Sequence, residues 1–187
     1  MRTDETRRNA LILATAFAAL GTGIAAYWWH SKNGGYSNFQ TSESDRLRNR
    51  WDQVLVTPAG SNLKLASFLK TPLLINFWAT WCPPCVEELP LLDRFFVENQ
   101  SNGVQILGLA VDKVEAVSTF LRKTPLSFPI AITGATGISL SKSWGNLSSG
   151  LPFSILLDAN GRIMQRKMGK LNGSDLSTWL TALQSQK

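Results

Sequence analysis

The chain has 187 residues, 44% of them hydrophobic, and a formal net charge of +6. This length and apolar content suffice for one globular domain plus an additional segment, so the two cysteines are not needed to hold the fold together. The basic residues form no run interleaved with aromatics, which argues against nucleic-acid binding. Two cysteines and one histidine are too few for a four-ligand zinc site, and the expected domain has no histidine for a copper carrier.

The first element is an uncharged segment over residues 10–29. As a helix it would span about 30 Å, the thickness of a bilayer core. Aromatic residues close it, and basic residues precede it at Arg2, Arg7 and Arg8. Because positive charge stays on the cytoplasmic side, we expect a single transmembrane anchor (or uncleaved signal), with residues 1–9 as a cytoplasmic tail and the main domain outside. A cleaved signal peptide and a buried helix of a soluble protein are the alternatives.

Residues 30–44 are rich in Ser, Asn and Gly and are predicted to form a flexible linker, followed by one folded domain over residues 45–187. Short apolar runs at Trp51–Val56 and Leu63–Leu65 are predicted to pair as a hairpin. The run Leu73–Trp78 has one polar break and is typical of a central strand buried on both faces.

The middle of the domain alternates helix and strand signals. A helix is predicted over Val86–Glu98, followed by a buried strand over Val104–Val111. Asp112 and Glu115 have the spacing of a capping box, which predicts that Asp112 is the N-cap of the next helix. A short strand is expected over Phe128–Ile132.

The C-terminal part begins with a predicted hairpin of Phe153–Leu157 and Arg162–Gln165 around a turn rich in Asp, Asn and Gly. Ser174 is predicted to cap a last helix, whose apolar residues follow helical spacing: Leu176, Trp179, Leu180 and Leu183. This order of elements predicts an α/β fold in which helices flank both faces of a central mixed β-sheet.

The feature that carries chemistry is the Cys82-Pro83-Pro84-Cys85 motif, at a strand-to-helix junction. The first turn of a helix has unpaired N–H groups and partial positive charge, so the pKa of the Cys82 thiol should fall. Residues i and i+3 share a helix face, so the two sulfurs can reach each other. We expect Cys82 to attack a partner disulfide and Cys85 to resolve the mixed disulfide. A purely structural disulfide closing so short a loop would stabilise little.

The segment Asn76–Pro90, NFWATWCPPCVEELP, resembles the active-site segment of the thioredoxin superfamily, and specifically the membrane-tethered TlpA/ResA-type thiol–disulfide oxidoreductases of bacteria. The resemblance extends from Trp51 to Leu183. It implies a thioredoxin-like fold and a protein-disulfide reductase that needs no separate cofactor. It also implies a domain in the periplasm, anchored in the inner membrane, whose electrons come from a membrane thiol donor of the DsbD/CcdA kind. Its partners would be client proteins with disulfides, such as apocytochrome c, and we expect a monomer.

The resemblance also implies roles for individual residues. Catalysis would fall to Cys82, Cys85 and Glu88, and client binding to Trp81, Pro83, Leu151 and Pro152. Leu151-Pro152 matches the cis-proline loop that faces the cysteine pair, where the Leu151 backbone would pair with a client strand. Cytosolic thioredoxins carry a buried aspartate at the position of Asn76, and the TlpA/ResA type places a glutamate after the motif instead.

Glu88 matches that glutamate and is a candidate general base for Cys85. The alternative is that Glu88 only complements the helix dipole, a role that suits Glu87 better. At the level of function, a disulfide-forming oxidase or isomerase and a membrane-tethered binding or chaperone module remain open beside the reductase.

Overall fold

The computed structural model describes residues 50–185. The segments predicted as tail, anchor and linker, residues 1–9, 10–29 and 30–44, lie outside this range. Between residues 50 and 185, no helix has both the length and the apolar character needed to cross a membrane.

A seven-stranded mixed sheet organises the domain, in the order β2-β1-β5-β4-β3-β6-β7. The strands are β1 Val54–Val56, β2 Asn62–Lys64, β3 Leu73–Trp78, β4 Gln105–Ala110, β5 Ile130–Ile132, β6 Phe153–Leu157 and β7 Ile163–Met168. Strand β4 is parallel to β3 and β5, and the other pairs are antiparallel. The helices are α1 Pro83–Asn99, α2 Val114–Lys123, α3 Thr136–Ser143 and α4 Gly173–Gln184. Short 3-10 helices cover Leu65–Phe68 and Gln100–Asn102.

Strand β3 lies at the centre of the core, and all six of its residues are buried. Successive side chains of a strand point to opposite faces, so β3 supplies two apolar layers. Leu74 and Trp78 pack with both cysteines and with residues of α1 and α4. Leu73, Ile75 and Phe77 pack on the other face. This arrangement confirms the predicted mixed sheet and the predicted central strand.

Several boundaries differ from the sequence expectation. Strand β1 begins only at Val54, because Trp51 lies in a helical turn and packs edge-on against Trp144, with ring centroids 5.5 Å apart. Helix α1 begins at Pro83 rather than at Val86. Proline fits the first turn of a helix, because the N–H that it lacks would have no helical partner there. Helix α3 was not expected, because its sequence is short, polar and contains glycine.

Two predicted caps are wrong. The N-cap of α4 is Asn172 rather than Ser174, and it forms a reciprocal capping box with Asp175. The N-cap position of α2 belongs to Lys113, which makes no side-chain cap. Asp112 directs one carboxylate oxygen to Thr80 instead, so a long-range partner outcompetes the local cap.

Candidate active site

Cys82 and Cys85 form a disulfide at the start of α1. Cys82 is the N-cap residue of the helix and retains 5% of its surface, whereas Cys85 is fully buried. The Cys82 carbonyl accepts hydrogen bonds from the amides of Cys85 and Val86 at 3.0 and 3.1 Å. Cys82 is therefore the more accessible residue of the pair, which agrees with its expected role as the attacking thiol.

The outer rim of the pair is apolar. Trp81 keeps 65% of its surface exposed, and both Pro83 and Pro84 are exposed. Trp81 ends the three-residue loop that joins β3 to the N-cap residue Cys82. Trp81 therefore leaves a large apolar surface exposed next to Cys82 in the chain.

The peptide bond between Leu151 and Pro152 is cis, as the resemblance implied. Pro152 is buried, and half-buried Leu151 packs against the apolar cluster that contains both cysteines. The side-chain amide of Asn146 donates to the Gly150 carbonyl at 2.9 Å and fixes the loop just before this bond. Sequence reasoning missed Asn146, because nothing local marks an asparagine as the support of a loop four residues away.

Glu88 lies one helical turn after Cys85 and is completely buried. Its Oε1 accepts from Asn76 Nδ2 at 2.7 Å, and its Oε2 accepts from the backbone amide of Leu171 at 2.6 Å. Burial raises the pKa of Glu88 to about 7, although the hydrogen bonds from Leu171 and Asn76 and the charges of Lys170 and Lys167 oppose the rise. A carboxyl of this kind can accept or release a proton at neutral pH.

The same buried layer holds Asn76 and Ser154. Asn76 Nδ2 also donates to Ser154 Oγ at 2.9 Å, so both its amide protons have acceptors. Its Oδ1 is buried and has no hydrogen-bond partner. Ser154 was missed from sequence, because it reaches Asn76 only through the antiparallel register of β3 and β6.

Glu87, by contrast, is exposed and pairs with Lys170, with Oε2 and Nζ 2.8 Å apart. The two adjacent glutamates of α1 therefore have different environments: Glu87 is solvated and paired with Lys170, and Glu88 is buried and bonded to Asn76 and Leu171. In the part of the chain from residue 50 to residue 185, no three His, Cys, Asp or Glu side chains gather in a group that could hold a metal ion.

The sequence profile of the Redoxin family matches residues 41–183. The chain belongs to the redoxin family. The thiol–disulfide oxidoreductase ResA of Bacillus cereus is 32% identical over 176 residues, which are 93% of this chain and 96% of that protein.

Solved structures agree with this assignment. The thioredoxin-related protein of Neisseria meningitidis serogroup B is 28% identical with a TM-score of 0.63, covering 71% of this chain and 99% of that one. StoA of Bacillus subtilis is 25% identical with a TM-score of 0.57, covering 68% and 95% respectively. These likenesses confirm a TlpA/ResA-type member of the thioredoxin superfamily, and hence a protein thiol–disulfide oxidoreductase.

Proposed function

We propose that this protein is a protein-disulfide reductase, held outside the cytoplasmic membrane of a bacterium by residues 10–29. The observation that carries the proposal is the Cys82–Cys85 disulfide at a helix start together with a buried carboxyl, Glu88, whose pKa is about 7. A dithiol needs a proton acceptor when its inner thiol reacts, and Glu88 lies on the same helix face as Cys85.

The reaction begins with the Cys82 thiolate, which attacks one sulfur of a client disulfide. The other client sulfur leaves as a thiolate and takes a proton from water. The Cys85 thiol then gives its proton to the Glu88 carboxylate, and its sulfur attacks Cys82 and breaks the mixed disulfide. The second client sulfur leaves as a thiolate, which is protonated from water while Glu88 returns its proton to solvent. The client gains two electrons, and the protein is left with the Cys82–Cys85 disulfide that the structure contains.

Client binding falls to the residues around the sulfurs. Trp81 and Pro83 offer exposed apolar surface on one side of the pair. The backbone of Leu151, next to cis Pro152, pairs with an extended client strand. Backbone pairing recognises no particular side chains, so it suits a protein with more than one client.

The oxidised form must be reduced again before the next client. A membrane thiol donor of the DsbD/CcdA kind, acting on the same disulfide, would supply the two electrons. The positive charge before residue 10 and the apolar segment that follows support a domain on the periplasmic side. Apocytochrome c and other proteins with thiol pairs are the client class that fits.

The direction of electron flow is tested by redox titration of the full-length chain in glutathione buffers. A reductase should have a reduction potential well below that of the strong oxidant DsbA, about −120 mV. A value near the DsbA end would instead assign the chain to disulfide formation.

Client capture tests the roles of the two sulfurs. In the full-length Cys85→Ala variant the mixed disulfide cannot be resolved, so clients should accumulate on Cys82 and be released by reductant. The Cys82→Ala variant is the matched control and should trap none. If Cys85→Ala still turns over client disulfides, the resolving role is wrong. If loss of both cysteines leaves function in cells intact, the binding-module alternative is favoured.

A further inference from the structure

The end of strand β4 contacts the loop that leads into the cysteine pair. Strands β3 and β4 are parallel, with Trp78 and Ala110 as their last paired residues, and the Val111 amide donates to the Trp78 carbonyl at 2.8 Å. Asp112 is one residue beyond Val111, Thr80 is two residues beyond Trp78, and the two lie in contact. The parallel pairing therefore delivers a carboxylate to the loop two residues before Cys82.

The contact is a double one. Asp112 Oδ2 accepts from the Thr80 amide at 3.0 Å and from the Thr80 hydroxyl at 2.5 Å. Its Oδ1 accepts from the Lys113 amide at 2.8 Å. Hydrogen bonds to a carboxylate are stronger than those between neutral groups. Both the backbone and the side chain of Thr80 are thus held by one charged group on another strand.

Asp112 contacts Thr80 instead of capping helix α2. An aspartate just before a helix ordinarily bonds to the amides of its first turn. Helix α2 has no side-chain cap, and the carboxylate of Asp112 turns back to the loop. The local role that the sequence favours is therefore replaced by one at the cysteine pair.

The loop that is held is very short. Only Ala79, Thr80 and Trp81 separate β3 from the N-cap residue Cys82, whose amide donates to the Ala79 carbonyl at 3.3 Å. Any displacement of Thr80 must move Trp81 or Cys82, because three residues have little slack. The position of the attacking sulfur consequently depends on the Thr80 contacts.

We propose that Asp112 is a positioning residue for Cys82: it fixes the Ala79–Trp81 loop through Thr80, and its negative charge restrains the thiolate population of Cys82. The two effects are separable. The Thr80 hydroxyl contributes one of the two hydrogen bonds that fix the loop, whereas restraining the thiolate requires only the charge. The proposal concerns thiol–disulfide exchange in either direction and does not depend on the reductase assignment.

The charge effect is tested with Asp112→Asn in the full-length chain. In a Cys85→Ala background, alkylation of Cys82 by iodoacetamide at fixed pH should become about threefold faster, because a nearby negative charge no longer opposes the thiolate. With both cysteines present, the equilibrium with glutathione should shift about threefold towards the dithiol, which corresponds to a rise of about 14 mV in the reduction potential.

Asp93→Asn is the matched control. Asp93 also accepts a bond from a backbone amide, that of Ser127, and it lies on α1 about 16 Å along the axis from Cys82. It should leave both measurements unchanged. Equal effects of the two substitutions, or no effect of Asp112→Asn, would overturn the role of the charge.

The loop effect is tested with Thr80→Val and Thr80→Ser. Valine keeps the shape but removes the hydroxyl, and serine keeps the hydroxyl. The reduced Thr80→Val chain should react with glutathione disulfide several-fold more slowly, and Thr80→Ser should restore the rate. Thermal denaturation of each variant gives its folded fraction at the assay temperature. The positioning role is overturned if valine and serine variants react alike, or if the loss of rate only follows the loss of folded protein.

Discussion

Replacing Glu88 with glutamine should change how stability depends on pH. Glu88 is buried, and burial raises its pKa from the ordinary 4.5 to about 7 in the folded protein. Between these two values the folded protein binds a proton that the unfolded chain has lost. The free energy of unfolding of the wild-type protein must therefore fall as the pH rises from 4.5 to 7.

The size of this fall follows from the change in proton affinity. A rise from 4.5 to about 7 corresponds to about 3 kcal/mol, at about 1.4 kcal/mol for each tenfold change. Glutamine does not titrate, so the variant should lack this decline. It also mismatches one of the two donors, Asn76 Nδ2 or the Leu171 amide, at a cost of about 1–3 kcal/mol that does not vary with pH.

The assay is urea denaturation of the oxidised protein from pH 4.5 to 8.5. The wild-type curve should drop by about 3 kcal/mol relative to the Glu88→Gln curve across this range. Glu87→Gln changes the exposed neighbour and should follow the wild type. Asp175, whose pKa is lowered chiefly by the hydrogen bond from Lys167, is present in all three proteins and cancels. Parallel wild-type and Glu88→Gln curves would refute the assignment of Glu88 as the group that titrates near neutrality.

Three further substitutions test packing, one beside Glu88 and two at glycines with positive φ. Asn76→Asp places a second buried carboxyl against Glu88. Calorimetry should show that the free energy of unfolding falls by several kcal/mol at pH 8, and that this loss largely disappears at pH 5, where the carboxyls are protonated. An equal loss at both pH values would contradict this. Gly60→Ala and Gly161→Ala both put a side chain at positive φ, but only at Gly161 would the new Cβ lie 2.8 Å from Trp51. Urea denaturation should give about 1 kcal/mol for Gly60→Ala and about 2–4 kcal/mol for Gly161→Ala, and equal losses would count against the contact with Trp51.

Local patterns carried much of the fold. The apolar run of β3, the hairpin of β6 and β7, and the helical spacing in α4 were readable because each depends on residues close together in the chain. The CPPC motif followed a strand and opened a helix, as its neighbours in sequence required. Helix α3 was not predicted, because its short, polar sequence has no clear helical pattern of apolar residues.

What the sequence alone determined is the presence of two cysteines at the spacing and setting of a redox pair. It could name Glu88 as a candidate base but could not choose between that role and a dipole partner. The tertiary structure decided its environment, since the pKa depends on burial and on an amide of Leu171 that lies 83 residues away.

Asp112 is a second residue whose role the tertiary structure decided. Sequence spacing made it a helix cap, because the nearest competing donors along the chain belong to α2. The parallel register of β3 and β4 instead brings it to Thr80, 32 residues away, whose amide and hydroxyl both bind one carboxylate oxygen. Spacing along the chain thus fixes which groups are available for chemistry. Contacts between distant segments fix their protonation and orientation, because desolvation and hydrogen bonding arise only once those segments pack together.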